Sequence, residues 1–335
     1  MTLGLLPKAR WFKLLAVIIL VMMLFSFSTG IAYAAEQAGS EPATMGMSPI
    51  VFFFVFLGIS IVIGIIAVLG GVGGGVIFTP LMMGFTPIDS FIIRATGLFV
   101  AMCGSLVAAR PFLRRGLANV KILFFAGLPY AVFAVLGALL AGYVKTTMGE
   151  GGEAMIRLGL GILVIGIAFL IIFGGKKVEY PDVRNVDSFT ERLALSMSYW
   201  EESMGKVVSY KVKRAPIGIL AFCGVGLISG LFGVGAGWAM VPVFNLVMLA
   251  PLKVAAASSK VLIGIGDTAA IWPYIMGGGI FPLFAVPCMV GLVIGTMIGA
   301  KIMLKIKAGF VRWLIVAVMF GSGTKLVLDG IARLT

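Results

Sequence analysis

Long apolar segments with almost no charge occupy most of this chain and restrict it to a membrane environment. Apolar residues make up 61% of the 335 residues and charged residues only 12%, whereas an ordinary soluble domain is about 45–50% apolar. Segments of about 20 apolar residues, long enough for a helix to cross a bilayer, recur along the sequence. The sequence therefore predicts an all-α polytopic membrane protein.

The composition offers little material for catalysis. There is no histidine, and Asp and Glu together number only 13, although these residue types supply most general acids, bases and metal ligands. The formal net charge is +13, but the Lys and Arg residues lie in short loops between apolar segments and form no single basic face. We therefore expect no enzymatic activity, no cofactor, no bound metal and no nucleic-acid partner.

Two glycine-rich stretches that end in proline interrupt the apolar pattern. Residues 70–80 read GGVGGGVIFTP, and residues 233–242 read GVGAGWAMVP, at an offset of 162 residues (242 − 80). Glycine costs a helix interior about 1 kcal/mol relative to alanine, and proline removes a backbone donor. A break repeated within one membrane chain indicates a binding site formed by discontinuous helices. Close packing of small residues is the alternative, but it explains neither the prolines nor the duplication.

The chain divides into an N-terminal segment and two similar halves. Residues 1–35 combine basic residues, an apolar run and small residues around Tyr33, which fits both a cleaved signal peptide and an uncleaved transmembrane helix. The other predicted parts are an external segment (36–48), membrane repeat 1 (49–173), a cytoplasmic linker (174–214) and membrane repeat 2 (215–330). In each repeat we expect a broken or re-entrant helix hairpin followed by three transmembrane helices.

Loop charges predict that the two repeats are inverted relative to each other. Residues 110–121 contain four Lys or Arg, whereas the equivalent turn, 277–279, contains none. In the next loop the bias reverses, with two acidic residues in 145–153 and four basic residues in 301–312. Because Lys and Arg favour the cytoplasmic side, equivalent loops should face opposite sides of the membrane. An inverted repeat satisfies this requirement.

The start of the short helix after each break is the predicted substrate site. Its unbonded N–H groups and partial positive charge favour a small anion. The predicted substrate-binding residues are Gly73, Gly74, Gly75, Val76, Thr79 and Thr96 in the first repeat and Gly235, Ala236, Gly237, Trp238, Ser258, Ser259 and Lys260 in the second. Each hydroxyl could instead bond only its own helix. Thr96 and Ser259 rank higher because they are repeat equivalents.

Ionisable residues within the apolar segments are rare and therefore informative. Asp267 lies at the centre of one segment, with Lys260 seven residues earlier on the same helical face. Either they form a structural ion pair, or Lys260 holds the anion while Asp267 acts as the coupling residue that takes and releases a proton. Arg94 is expected either to snorkel to the interface or to reach an entering anion. Lys325 and Asp329 are predicted to form a local i,i+4 pair.

The linker predicts one short amphipathic helix. Ser188 or Thr190 would cap it, and it would run through Leu193, Met197 and Trp200. A helix resting on the membrane or on the bundle is the simpler interpretation, and a docking site for a soluble partner is the alternative.

The doubled motif, with the hydroxyl-containing segments RATGLFV and ASSKVLI that follow its two copies, resembles the TauE/SafE family of sulfite and organosulfonate exporters over residues 50–330. The resemblance implies a multi-pass carrier of the bacterial inner membrane for small sulfur-containing or organic anions, driven by an ion gradient. Our leading interpretation is a secondary transporter that binds the anion between the two breaks and moves it by alternating access. The alternative is a membrane sensor or scaffold whose linker binds a partner. Ala236, the long linker and the extra N-terminal segment depart from the family pattern. Ala236 predicts that the two half-sites differ, whereas the linker and the N-terminal segment leave the substrate and regulation open. A homo-oligomer remains one alternative for assembly.

Overall fold

The computed structural model describes residues 47–70, 73–114, 116–173, 181, 186–193, 195–201, 205–302 and 308–334. The predicted N-terminal segment 1–35, most of the external segment and the first part of the linker lie outside the described residues. Within them, six helices are long and apolar enough to cross a membrane. The structure is therefore mostly helical, as the predicted all-α polytopic class requires, with one two-stranded hairpin in the linker.

The structure consists of long helices, two short helical pieces after the glycine-rich stretches and a small linker hairpin. In chain order they are α1 (Pro49–Gly70), α2 (Gly74–Phe85), α3 (Ser90–Arg114), α4 (Val120–Phe173), α5 (Ser188–Arg192), β1 (Met197–Glu201), β2 (Lys206–Tyr210), α6 (Ala215–Phe232), α7 (Gly237–Pro242), a π-helical turn (Val243–Val247), α8 (Leu252–Met276), α9 (Pro282–Ile302) and α10 (Ala308–Leu334).

Both glycine-rich stretches separate a long helix from a short one. α2 has 12 residues, so it extends about 18 Å at 1.5 Å per residue. α7 and its π-helical turn together are of similar length. Neither piece can cross a hydrocarbon core of about 30 Å alone.

α4 changes direction at Gly149, where φ is 51° and ψ is −129°. A Cβ built at Gly152 would lie 2.6 Å from Cγ1 of Val144, although eight residues of straight helix would separate the two by about 12 Å. Glycine adopts this backbone conformation at little cost, whereas other residues do not. α4 is thus two arms, residues 120–148 and 150–173, which we call the first and second arm.

Glycines bring α1 and α9 into close backbone contact. Gly291, Gly295 and Gly299 recur every four residues on α9 and face α1, and a Cβ at Gly295 would lie 3.0 Å from the Cα of Ile61. Small residues at this spacing let membrane helices approach each other closely. Small-residue packing thus explains this contact well, whereas the break at residues 233–242 contains glycines with left-handed backbone.

We expect Gly295→Leu to disrupt the contact between α1 and α9. The larger side chain has no space against the Ile61 backbone, and such overpacking costs about 1–3 kcal/mol. The thermal unfolding midpoint of purified Gly295→Leu should be lower than that of Gly58→Leu, since Gly58 on α1 has open space around its Cβ position. Equal midpoints for the two variants would contradict this packing.

The helices of the two halves pack against each other in a reciprocal pattern. α1 packs on α9, and α6, which follows the linker as the first long helix of the second half, packs on the first arm of α4. α3 packs on α8, and the second arm of α4 packs on α10. Each of these contacts thus pairs one helix from the first half with one helix from the second half.

The linker folds differently from the sequence prediction. Asp187 caps α5 by accepting the backbone N–H of Thr190 at 3.1 Å, but α5 ends at Arg192. The prediction that this helix continues through Met197 and Trp200 is wrong, because both residues lie in β1, which pairs antiparallel with β2. The aromatic and β-branched residues at 199–200 and 207–208 favour strands, and within β1 Tyr199 is buried between the exposed residues Ser198 and Trp200.

Hydrogen bonds attach the linker to the helical body. The Asn119 side chain donates to the carbonyl oxygen of Leu195 at 2.7 Å and to Tyr210 Oη at 2.8 Å. Burial raises the pKa of Tyr210 to about 12 even though the bond from Asn119 lowers it, so the phenol stays neutral. At the C-terminal end of the linker, the backbone N–H of Lys213 donates to the carbonyl oxygen of Met248 at 3.0 Å.

Candidate functional site

The two glycine-rich breaks meet inside the body. Gly73 is the N-cap of α2 and Gly237 is the first residue of α7. A Cβ built at Gly73 would lie 3.6 Å from the Cα of Gly237. Segments 164 residues apart (237 − 73) are therefore in contact, and both short helices begin at the same place.

Positive φ angles explain why particular break positions are glycine. Gly73 has φ 97°, Gly233 64° and Gly235 68°, which is backbone that residues with a Cβ rarely adopt. Ala236 has φ −99° and ψ 3°, so this position accepts a side chain. The backbone conformation at position 236 thus permits alanine in place of the middle glycine. Gly71 lies outside the described residues.

α2, α3 and the second break touch through their backbones. A Cβ at Gly75 would lie 2.6 Å from the carbonyl oxygen of Val234 and 3.1 Å from that of Gly97. The Thr79 hydroxyl donates to the carbonyl oxygen of Gly233 at 2.7 Å. Thr79 therefore holds the second break in place, a role that the sequence did not indicate. Side chains larger than hydrogen at positions 75 and 97 would separate these segments.

The hydroxyls predicted from the repeat have different surroundings. Ser259 donates to the carbonyl oxygen of Ala256 in its own helix at 2.9 Å, which is the alternative left open for it. Ser258 accepts the backbone N–H of Asn119 at 3.4 Å. Thr96 is completely buried, and its Oγ1 has no partner within the described residues. Of these three hydroxyls, that of Thr96 is thus available to a ligand.

Further polar atoms around the breaks lack partners. Trp238, which follows Gly237, packs against both apolar cores of the body, and its buried Nε1 has no acceptor among the described residues. No side chain caps the N-terminus of α2 or of α7. Val76 and Gly74, also predicted for the site, lie in the first turn of α2. Buried donors without acceptors cost free energy unless a ligand or water satisfies them.

Asp267 is bound by residues that the sequence prediction missed. Its Oδ1 accepts a hydrogen bond from Tyr130 Oη and lies 3.5 Å from Ser229 Oγ. Its Oδ2 is buried, has no hydrogen-bond partner within the described residues and lies 3.6 Å from a Cβ built at Gly235. The unpartnered oxygen thus faces the second break.

The ion pair between Lys260 and Asp267 is not formed. Lys260 is partly buried on α8 and makes no ion pair or hydrogen bond with any described residue. Two helical turns separate it from Asp267, a distance of about 10 Å along the axis. The structural alternative for these two residues is therefore wrong.

Arg94 does not snorkel to the interface. Only 1% of its surface is exposed, and its guanidinium donates to the carbonyl oxygens of Ser90 at 3.2 Å and Leu231 at 3.1 Å. Tyr274 Oη donates to the neighbouring carbonyl oxygen of Gly230 at 2.7 Å. A buried cation and a phenol thus cap the C-terminus of α6 directly before the second break, where the helix dipole is negative.

A separate cavity of about 670 Å³ lies at the far end of α2, between residues 83–89, the second arm of α4 and the end of α10. Lys325 and Asp329 both line it, but no ion pair joins them. Instead, Lys325 Nζ lies 4.4 Å above the ring centre of Phe85. The predicted i,i+4 pair is therefore wrong.

Two short helices that begin inside an apolar, membrane-spanning body are typical of polytopic membrane transporters. The sequence profile of the family described as sulfite exporter TauE/SafE matches residues 56–326, so the chain belongs to this family. A probable membrane transporter protein, YunE of Bacillus subtilis, is 22% identical over 83% of this chain and 98% of its own. A probable membrane transporter protein of Haemophilus influenzae is 26% identical over 77% of this chain and 88% of its own. No solved structure gave a significant match.

Proposed function

We propose that this protein is a secondary transporter that moves small sulfur-containing or organic anions, such as sulfite or sulfonates, by alternating access. The observation that carries the proposal is the contact of Gly73 with Gly237. It brings the starts of two short helices together beside buried polar atoms that have no hydrogen-bond partner among the described residues. Membership of a transporter family favours transport over catalysis.

The chemistry of the break residues suits a small anion. The uncapped N-terminus of α2 supplies backbone N–H groups and partial positive charge. Trp238 Nε1 and the Thr96 hydroxyl add neutral donors, and the ammonium group of Lys260 adds a full charge on α8. Ser258 and Ser259 complete the proposed substrate site only after they exchange their present partners.

We also propose that the two halves form an inverted repeat that rocks around this site. The loop charges favour opposite orientations, and the reciprocal packing of α1 on α9 and of α6 on the first arm of α4 is what a two-fold relation between the halves would produce. In this arrangement the linker is cytoplasmic and the protein resides in the bacterial inner membrane.

Anion flux into proteoliposomes tests the proposal. Purified protein should move at least one of sulfite, thiosulfate, sulfoacetate or methanesulfonate faster than empty liposomes do. A lack of flux for every sulfur oxyanion, sulfonate and carboxylate would contradict the transporter function and favour a sensor or scaffold.

We expect Trp238→Phe to weaken anion binding about tenfold or more. The change keeps an aromatic ring between the two apolar cores but removes the Nε1–H donor, and a hydrogen bond to a charged group contributes about 1.5–3 kcal/mol. Calorimetric titration of the transported anion measures the effect. Trp272→Phe is the matched control, because Trp272 is exposed on the outer face of α8. Equal affinities for the two variants would remove Trp238 from the site.

Asp267 is the proposed coupling residue. We expect Asp267→Asn to abolish anion accumulation driven by a pH gradient, because an amide cannot take up and release a proton in this way, while exchange of labelled for unlabelled anion continues. Both fluxes are measured in the same proteoliposomes. Accumulation that still follows the pH gradient in the variant would exclude this role.

A further inference from the structure

We infer that anion binding and protonation of Asp267 are one event, so that the central site takes up one proton with each anion, and that Tyr130 and Ser229 position the carboxyl group for this purpose. The inference rests on the proposed anion site. It adds the identity of the coupled ion, the number of ions per anion and the residues that hold the carrier group.

The position of Asp267 carries the first step. The residue is completely buried at the centre of α8, and its Oδ2 lacks a hydrogen-bond partner in the part of the chain that the structure describes and faces Gly235. Gly235 belongs to the break whose end, Gly237, contacts the N-cap of α2. The unpartnered oxygen is therefore beside the segment that forms the anion site, and it is the part of the side chain free to change its protonation.

The surrounding charges carry the second step. On the helices packed against α8, the groups that reach Asp267 are Tyr130 from the first arm of α4 and Ser229 from α6, and both are neutral donors. Arg94 on α3 is occupied by backbone carbonyl groups. On α8 itself, Lys260 is two turns away. Within the described residues no cation lies beside Asp267, and the single positive charge that Lys260 brings to the proposed site offsets the substrate anion alone. A carboxylate at Asp267 would therefore repel the substrate anion strongly in a medium of low dielectric constant.

Proton uptake by Asp267 balances in charge and in bonds. When the anion binds, a proton from water forms a bond to Oδ2 of Asp267, and the carboxyl group becomes neutral. When the anion leaves, that bond breaks and the proton returns to water. A monoanion therefore crosses with one proton and no net charge, whereas a dianion crosses with one net negative charge.

The hydrogen bonds to Oδ1 explain why Oδ2 is the oxygen that changes. Tyr130 Oη donates to Oδ1, and Tyr130 Oη and Ser229 Oγ lie 3.4 Å apart. This pair fixes the plane of the carboxyl group and leaves Oδ2 directed at the break. The Tyr130 ring is held against Gly266, where a Cβ would overlap the ring. Tyr130→Phe therefore keeps the ring in place and removes only the donor.

Titration calorimetry of the full-length protein in nanodiscs tests the inference. The probes are thiosulfate and methanesulfonate, which keep a fixed charge at neutral pH, and the titrations use buffers of different ionisation enthalpy so that proton uptake can be counted. We expect uptake to approach one proton per anion at pH values where Asp267 is ionised in the free protein and protonated in the complex. Over that pH range the anion affinity should fall tenfold per pH unit. Asp267→Asn should bind without uptake and without pH dependence, whereas Asp329→Asn on α10 should behave like the unmodified protein.

Tyr130→Phe distinguishes positioning from a purely structural role. Loss of the donor makes the ionised carboxylate less stable, so protonation persists to higher pH, and the fall in affinity should begin at a more alkaline pH with uptake still near one. This measurement keeps the inference testable if Asp267→Asn does not fold.

Three results would overturn the inference, and they can be told apart. Binding of either probe without proton uptake at any pH removes it and leaves the proposed transport function intact. Affinity that depends on sodium without proton uptake assigns the carboxylate to a metal cation instead. No binding of either probe removes the proposed sulfur-anion site, and this inference with it.

Discussion

Anion flux should fall to the background of empty liposomes when Gly235 is replaced by alanine. Gly235 has φ 68°, and left-handed backbone costs a residue with a Cβ about 1–2 kcal/mol. The added methyl group would also lie 2.8 Å from Cβ of Ala101 and 3.6 Å from Oδ2 of Asp267. The break would have to shift at the point where the two short helices meet, and the proposed anion site would lose its geometry. Flux and anion affinity, measured on the same preparation, both report this change.

Two control variants separate this effect from a general loss of glycine. Ala236→Gly changes the neighbouring residue, whose φ of −99° suits both residue types, and should retain most of the flux. Gly58→Ala on α1, with open space around its Cβ position, should also retain it. Normal flux in Gly235→Ala would mean that the conformation of the second break is not needed for transport.

The second large effect is expected at Arg94, where replacement by glutamine should destabilise the protein by about 2–4 kcal/mol. The change removes charge-assisted hydrogen bonds to buried carbonyl oxygens and a cation at the negative end of α6. Gly233, which ends α6, contacts the Arg94 backbone closely, so the loss should extend to the second break. Thermal unfolding monitored by intrinsic fluorescence measures the change.

Arg94→Lys is the matched control because it keeps the charge but cannot reach both carbonyl oxygens with a planar guanidinium group. Its unfolding midpoint should lie between those of the unmodified protein and the glutamine variant. If both variants unfold at the same temperature as the unmodified protein, the cap on α6 contributes nothing to stability, and Arg94 would have to be considered for another role.

The fold class followed from the sequence because its signals are strong and local. Apolar segments of membrane-spanning length and few charges leave helices as the main solution for a chain in lipid. The two breaks could be placed because glycine and proline disfavour helix whatever surrounds them. The relation of the repeats rests on loop charges and on reciprocal packing, and it stays a proposal.

The partners of the central residues could not be derived in the same way. Asp267 was identified because charge is rare in an apolar segment, but Tyr130 and Ser229 are ordinary residues of apolar helices, and only tertiary packing brings them to it. Spacing on one helical face suggested Lys260 as its partner, yet seven residues of rise place the two side chains too far apart. Arg94 was misjudged because its buried acceptors are backbone carbonyl groups, which leave no signature in a sequence.

The linker shows how tertiary contacts override a short periodic pattern. Apolar residues at 193, 197 and 200 fit helical spacing, but the same stretch contains adjacent aromatic residues that favour a strand. Tyr199 and Tyr210 are both buried against the body. Because the helical pattern covers only a few residues, the burial of two tyrosine side chains is enough to favour the strand over the helix.

The attachment of the linker has a mechanical consequence. Its hairpin is tied to Asn119, in the first half, while Lys213 at its end is tied to Met248, beyond the second break. The linker is thus a strap across one end of the body. Any movement that separates the two halves at that end must break these bonds, whereas separation at the opposite end leaves them intact, so the two ends of the transporter differ in the work needed to open them.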